Sequence, residues 1–286
     1  MFNSTIVDVA IGLIFTFLTV SLAVSSILEA IASVMKWRSN TLLQGVKQLL
    51  NDPNLTGVAL SIYNHALVNP RDAGTATHEG QLKNKPAYIV PLQFADALIQ
   101  IGKITQDSPD KIKAAINSYF TDVQIRNFLL GSVDRTAGDI SKMRVEIAGW
   151  FDNAMDRLGG EYKRRTQIWT FFIALLIAGS LNISSITIGK ALWQQPMIAK
   201  SIAPTENFKT AVAQLQNMDV PLGWTQARFA DLKTTNGLDA IAGWLITAVA
   251  TLFGASFWFD ALGRIIRLKG SGPSPDEKKS DLGAAA

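Results

Sequence analysis

The sequence predicts an all-α integral membrane protein with three transmembrane helices and a helical cytoplasmic domain inserted between the first and the second. Three observations carry this prediction. Apolar stretches run from Ile6 to Trp37, from Ile168 to Ile188 and from Ile241 to Phe259, and a helix crossing a hydrocarbon core needs about 20 such residues. Basic residues cluster beside the stretches, as orientation by positive charge requires. Between the first two stretches, apolar residues recur every three or four positions, the helical period.

Composition agrees with that reading. Hydrophobic residues make up 48% of the 286-residue chain and charged residues 17%, where globular domains carry about a quarter charged. There is no cysteine, which excludes disulfides, thiolate metal sites and a cysteine nucleophile. The net charge of +4 is modest, and its placement beside apolar runs points to lipid headgroups and not to nucleic acid.

The first span has an uncharged core from Val9 to Leu28. Ala30-Ile31-Ala32 fits a signal-peptide cleavage rule, but no basic residue precedes the run and the run is too long, so a retained anchor is expected. Lys36 and Arg38 follow this span, Lys163, Arg164 and Arg165 precede the second, and Arg264, Arg267 and Lys269 follow the third. With alternating spans all three groups share one side, which makes that side cytoplasmic. The expected layout is therefore transmembrane helix 1 over 1–37 with the N-terminus outside, a helical cytoplasmic domain over 38–165, and transmembrane helix 2 over 166–189. A short external segment follows over 190–237, then transmembrane helix 3 over 238–266 and a disordered cytoplasmic tail over 267–286. Trp37, Trp169, Trp193, Trp244 and Trp258 fall near span ends, where interfacial tryptophans belong.

Within 38–165, helices are expected over 41–50, 56–68 and 91–103, with a long Gly/Pro/Asn-rich loop over 69–91. Ser108-Pro109-Asp110 reads as an N-cap followed by a first-turn proline, opening a helix to Phe120. Val123 to Leu130 is short and apolar. The longest helix starts near Thr136 and presents Ile140, Met143, Ile147, Trp150, Ala154 and Leu158 on one face. Gly159-Gly160 interrupts it, as a hinge or as a plain loop. In the external segment, 205–218 reads as an amphipathic helix with Phe208, Val212 and Leu215 inward, followed by a turn from Pro221 to Trp224.

Each span carries small or weakly polar residues on one face. In the first these are Gly12, Thr16, Thr19, Ala23, Ser26, Ala30 and Ser33, spaced alternately four and three apart. Such a stripe permits close helix approach, and its hydroxyls can bond across the contact. It would serve packing within the chain or association with another chain. Glu29 lies beside the stripe, where a carboxylate either has a function or reaches the headgroups and pairs with a base such as Lys36 or Arg38. Asn182 is the second intramembrane polar residue and is expected to bond another helix. The interfacial set Lys163, Arg164, Arg165, Trp258, Asp260 and Arg264 is expected to form a solvated interfacial collar or else to grip headgroups or a neighbouring chain, with Asp260 and Arg264 spaced to pair.

Catalytic signatures are missing. His65 and His78 are the only histidines, and His78 with Glu79 and Asp72 makes too loose a set for a metal. No catalytic, metal or cofactor-binding residue is assigned, and no cofactor is expected. Trp150-Phe151-Asp152 leading to Arg157 is echoed by Trp258-Phe259-Asp260 leading to Arg264, but the flanks do not match, so a duplication is not inferred.

The segments Lys85-Pro86-Ala87-Tyr88-Ile89 and Phe94-Ala95-Asp96-Ala97-Leu98 resemble parts of a group of uncharacterised bacterial inner-membrane proteins. So do Trp150-Phe151-Asp152-Asn153-Ala154-Met155-Asp156-Arg157, Tyr162-Lys163-Arg164-Arg165 and Gly254-Ala255-Ser256-Phe257-Trp258-Phe259-Asp260. The resemblance implies a bacterial inner-membrane location and a similar layout, and it brings no catalytic residue. The expected function is a membrane-anchored structural or scaffold protein, or an accessory subunit of a larger membrane assembly. Its partners would be the bilayer and either further copies or other membrane subunits, with no nucleic acid. An oligomeric pore or transport component is the alternative, disfavoured because no span reads as broken at mid-depth. A membrane enzyme ranks third.

Overall fold

The structure is a computed structural model, and it describes residues 5–194, 205–217, 222–232 and 235–270. Of the disordered tail expected over 267–286, residues 267–270 are instead the end of a helix, while 271–286 and part of the external segment lie outside the described residues. Among the described residues the chain forms twelve α-helices and one short 3-10 helix, so the fold is all-α. The chain divides into two compact units, Ala32–Arg164 and a second made of Met1–Ile31 with Arg165–Ala286.

The first of these, the inserted unit, contains α2 (Trp37–Leu49), α3 (Val58–Tyr63), α4 (Pro91–Ile101), α5 (Pro109–Tyr119), α6 (Val123–Thr136) and the beginning of α7 (Ile140–Ser180). Prolines open α4 and α5 at positions where the missing N–H costs nothing. Ser108 precedes α5 without a side-chain cap bond, whereas Asp122 caps α6 by accepting from the Ile125 amide at 2.9 Å. The core centres on aromatic stacking. Phe94 of α4 lies 4.1 Å from Phe151 of α7, and Phe128 of α6 lies 4.4 Å from Trp150. Arg144 of α7 grips Asp96 of α4 with two nitrogens, and Glu146 takes both Arg135 and Ser132 of α6.

The long loop before α4 is pinned to this core. The Asn64 side chain exchanges two bonds with the Ala76 backbone, at 2.7 and 3.0 Å. Glu79, in the 3-10 turn Glu79–Gln81, accepts from Lys47 at 3.0 Å and from Lys85 at 3.1 Å. Asp52 ends the turn after α2 by accepting from the amides of Thr56, Gly57 and Ala59.

The other unit holds most of α1 (Thr5–Val34), the end of α7, α8 (Ser185–Gln194), α9 (Phe208–Asn217), α10 (Gln226–Asp231), α11 (Thr235–Thr251) and α12 (Ala255–Gly270). One helix, α1, is long and apolar enough to cross a membrane. Up to three crossings result if α7 with α8 and α11 with α12 each count as one.

Three sequence expectations change here. Helix α7 is continuous through Gly159-Gly160, because Met143, Ile147 and Phe151 fix its beginning in one core and Ala174, Ile177 and Ala178 fix its end in another. Packing at both ends outweighs about 1 kcal/mol of lost propensity per glycine. The stretches expected as spans 2 and 3 are each broken, bending by 53° after Ser180 and by 96° after Thr251. In α9 the expected inward Phe208 is exposed and Val212 half-buried, Ala211 is fully buried instead, and the Leu215 side chain lies outside the described residues.

Candidate functional site: an apolar unit with a capped helix break

From Ile168 to Ser180 the apolar end of α7 rises only about 20 Å, short of a hydrocarbon core of about 30 Å. The chain continues in α8 only after an unwound turn over 181–184. Unwound backbone frees carbonyls, and away from water each needs a partner. Asn182 makes the turn, in the left-handed region at φ 49°.

The freed groups are satisfied from within the unit. Leu181 donates to Ile177 O, Asn182 to Gly179 O and Ile183 to Ala178 O. The Trp224 indole donates to Gly179 O and Ser180 O at 3.1 and 3.0 Å. The Gly223 amide donates to Leu181 O at 2.8 Å, and the Thr247 hydroxyl to Ile183 O at 3.1 Å. The Asn182 side chain donates to Gly223 O and accepts from the Trp244 indole, each at 3.2 Å. Ser184 then caps α8, its hydroxyl accepting from the Thr187 amide at 3.3 Å. The Ser185 and Thr247 hydroxyls lie 2.5 Å apart, and both are buried. Gly243 allows α11 to approach this closely, and Lys190 pairs with Asp239 at 2.7 Å near the other end of the α8–α11 contact.

The second break is tightened by three short-range bonds, from Leu252 to Val249 O, from Phe253 to Ala250 O and from Gly254 to Thr251 O. Gly254 takes φ 84°, which suits glycine. The Trp258 indole donates to Ala250 O at 2.7 Å and its ring lies 4.9 Å from Phe17.

Outside this satisfied interior the surface is apolar. Ile168, Phe172 and Leu176, each four residues apart, are exposed on α7, Leu176 to 68%. Ile241, Leu245 and Val249 are exposed along α11, Val249 to 51%, and Phe253 is exposed just after its end. Apart from the buried Ser21 hydroxyl of α1, which has no partner among the described residues, the interior polar groups are paired and large apolar side chains face outward, the distribution a lipid solvent favours.

The small-residue stripe of α1 divides. Gly12 packs against Leu192 of α8, and Thr16 and Thr19 are buried, while Ala23 is half-buried. Ser26, Ala30 and Ser33 are exposed, as is Glu29, which has no ion-pair or hydrogen-bond partner among the described residues. The hydroxyls do not bond across helices as the stripe suggested. Thr16 donates to Gly12 O, Thr19 to Phe15 O and Ser26 to Leu22 O, each four residues back on the same helix. The cross-helix bonds are made instead by Ser185, Thr247, Trp224 and Trp244. Their signal was Asn182-Ile183-Ser184-Ser185 itself, a turn-forming run inside an apolar stretch.

Lys163, Arg164 and Arg165 are exposed on α7. Asp260 and Arg264 are exposed on α12 and do not pair with each other. His65 accepts from the Leu67 amide through Nδ1, and His78 lies 3.2 Å from the Thr77 hydroxyl. Among the described residues no three metal-ligating side chains converge. Glu79 is held below the usual carboxylate range by the Lys47 hydrogen bond, then opposed by burial and helped by Lys85. Burial, with Glu79 adding, pushes the Tyr63 phenol upward, so it stays protonated in the core. No family model, curated protein or solved structure matches the chain.

Proposed function

We propose that the chain is a membrane-anchored structural protein, serving as a scaffold or as an accessory subunit of a larger assembly in a bacterial inner membrane. In this reading α1, the end of α7 with α8, and α11 cross the bilayer, with the N-terminus outside and the inserted unit cytoplasmic. The observation that carries it is the outward apolar face of α7 and α11 around an interior whose backbone groups are paired. The inserted unit supports a docking role, since its helices are locked by the Arg144–Asp96 and Arg135–Glu146 pairs and present a fixed surface. The exposed later half of α1, with Glu29 beside Ser26, Ala30 and Ser33, is the face offered to another chain.

The two broken helix pairs favour a second reading, a transport component, because discontinuous helices often line substrate sites. Against it, the carbonyls freed at 177–181 and 183 already accept hydrogen bonds within the chain, leaving few to coordinate an ion. Native mass measurement of the chain extracted gently from its membrane separates the readings. A complex containing other proteins supports the subunit role. A closed ring of this chain alone supports the pore, and a lone monomer contradicts both.

A further inference from the structure

Helix α12 follows the 96° bend at Gly254 and belongs to the same compact unit as α11. Its residues sort cleanly by face. Leu262 is fully buried, and Trp258, Phe259, Ile265 and Ile266 pack against the unit's core. Ser256, Phe257, Asp260, Arg264 and Arg267 are exposed. At about 100° per residue these five fall within one stripe about 100° wide. The apolar face of α12 is thus already occupied by its own unit, and its outward face is charged.

A charged outward face does not fit the second half of a span. Embedded beyond α11, Asp260, Arg264 and Arg267 would point into acyl chains, where each ionised group is expensive. The bend removes this conflict. If α11 crosses the bilayer, a helix at 96° to it lies nearly in the membrane plane. Phe253 and Phe257 stand at the bend, exposed to 61% and 47%, with their rings 5.0 Å apart. They form an exposed aromatic wedge at the corner. Arg264 and Arg267 have no acidic partner among the described residues, and Arg267 Nε only returns to Gly263 O. Lys269 adds a third cation in sequence.

We infer that α12 is an in-plane interfacial helix that binds the phosphate groups of anionic phospholipids through Arg264 and Arg267, with Phe253 and Phe257 seated in the acyl boundary. The occupant is a lipid surface because the exposed face joins cationic side chains to an aromatic wedge, the complement of a headgroup layer above acyl chains. The inference rests on the membrane reading of α11. It deepens that reading by laying the helix after the third crossing in the membrane plane and by placing lipid recognition on it.

The cysteine-free chain permits a direct test. Nitroxide labels are attached to single-cysteine variants at Val249, Asp260 and Arg264, and the full chain is placed in nanodiscs of phosphatidylcholine with phosphatidylglycerol. Relaxation by oxygen and by a water-soluble nickel chelate gives the depth of each label. The expected result is position 249 in the hydrocarbon and positions 260 and 264 both at headgroup depth. Hydrocarbon depth at all three overturns the inference and leaves the membrane reading standing, whereas water exposure at 249 defeats the membrane reading itself.

A second measurement reads the ligand. The ratio of phosphatidylglycerol to phosphatidylcholine retained from mixed micelles is determined by native mass spectrometry. It should fall about fivefold for each arginine removed in R264Q/R267Q, and R264K/R267K should keep most of it. Inorganic phosphate at matched concentration should not displace the lipid. An unchanged ratio in R264Q/R267Q, or displacement by phosphate, overturns lipid recognition by this face.

Discussion

Gly243 of α11 faces Ser184 with no room between them: a Cβ at this glycine would overlap the Ser184 hydroxyl and come within 3.1 Å of the Ile186 amide nitrogen. The contact brings α11 against the unwound turn before α8, close enough for Thr247 to cap Ile183 O. The G243A variant is therefore expected to lose stability. Overpacking costs about 1–3 kcal/mol, more than the roughly 1 kcal/mol that alanine returns in helix propensity. Gly189 is the control, since a Cβ there would meet only Leu13 Cδ1 at 3.8 Å. Thermal unfolding in detergent should show a lower Tm for G243A and an equal or higher Tm for G189A.

Gly159 and Gly160 behave in the opposite way. A Cβ at either meets nothing within 4 Å, and both lie inside the continuous helix α7. The G159A/G160A double variant should gain about 1 kcal/mol per site through propensity alone. Hydrogen exchange over 155–165 should slow. Unchanged or faster exchange would show that α7 is not continuous there in solution.

Asp52 is buried and accepts from three amides, those of Thr56, Gly57 and Ala59. Hydrogen bonds to a charged group contribute about 1.5–3 kcal/mol, and removing the acceptor leaves the buried Ala59 amide unpaired. The D52A variant should lose on the order of 2 kcal/mol. D52N, which keeps one acceptor oxygen, should lose less. Chemical denaturation followed by helix signal measures both.

Glu79 gives the loop over 64–90 a pH dependence. Its carboxyl is held below the ordinary value of 4.5, chiefly by the Lys47 hydrogen bond. A lowered folded-state value makes the ion pairs fully stabilising above about pH 4.5, and the contribution is lost as pH falls through the lowered value. Amide exchange of residues 76–86 should therefore accelerate, beyond its intrinsic pH dependence, in acid in the native chain. In E79Q it should already be fast at neutral pH and show no such additional acceleration.

Much of the helical layout was legible because single residues carry it. Pro91 and Pro109 mark the starts of α4 and α5, and the periodic Met143, Ile147 and Trp150 mark the buried side of α7. The breaks were not legible from hydropathy. Asn182-Ile183-Ser184-Ser185 and Leu252-Phe253-Gly254 are short, and apolar neighbours dominate any window that includes them. The geometry of the first depends on Trp224 and Thr247, which are far away from it in sequence, and that of the second on short local bonds and the positive φ of Gly254. The stripe of α1 was readable as a pattern. Its division into a buried and an exposed half was not, since spacing alone does not tell which part meets Leu192. The charged side of α12 was masked for a similar reason: Trp258 and Phe259 continue the apolar run, and only the 96° bend separates them from α11.

The central claim is that the apolar unit sits in a bilayer with the inserted unit on its cytoplasmic side. Single cysteines at Tyr88, Glu206 and Leu245, all exposed positions, make it measurable in intact cells with a membrane-impermeant maleimide. The account predicts labelling of Glu206→Cys from outside, labelling of Tyr88→Cys only after permeabilisation, and no labelling of Leu245→Cys in either case. Labelling of positions 88 and 206 together in intact cells, or ready labelling of position 245, would contradict it.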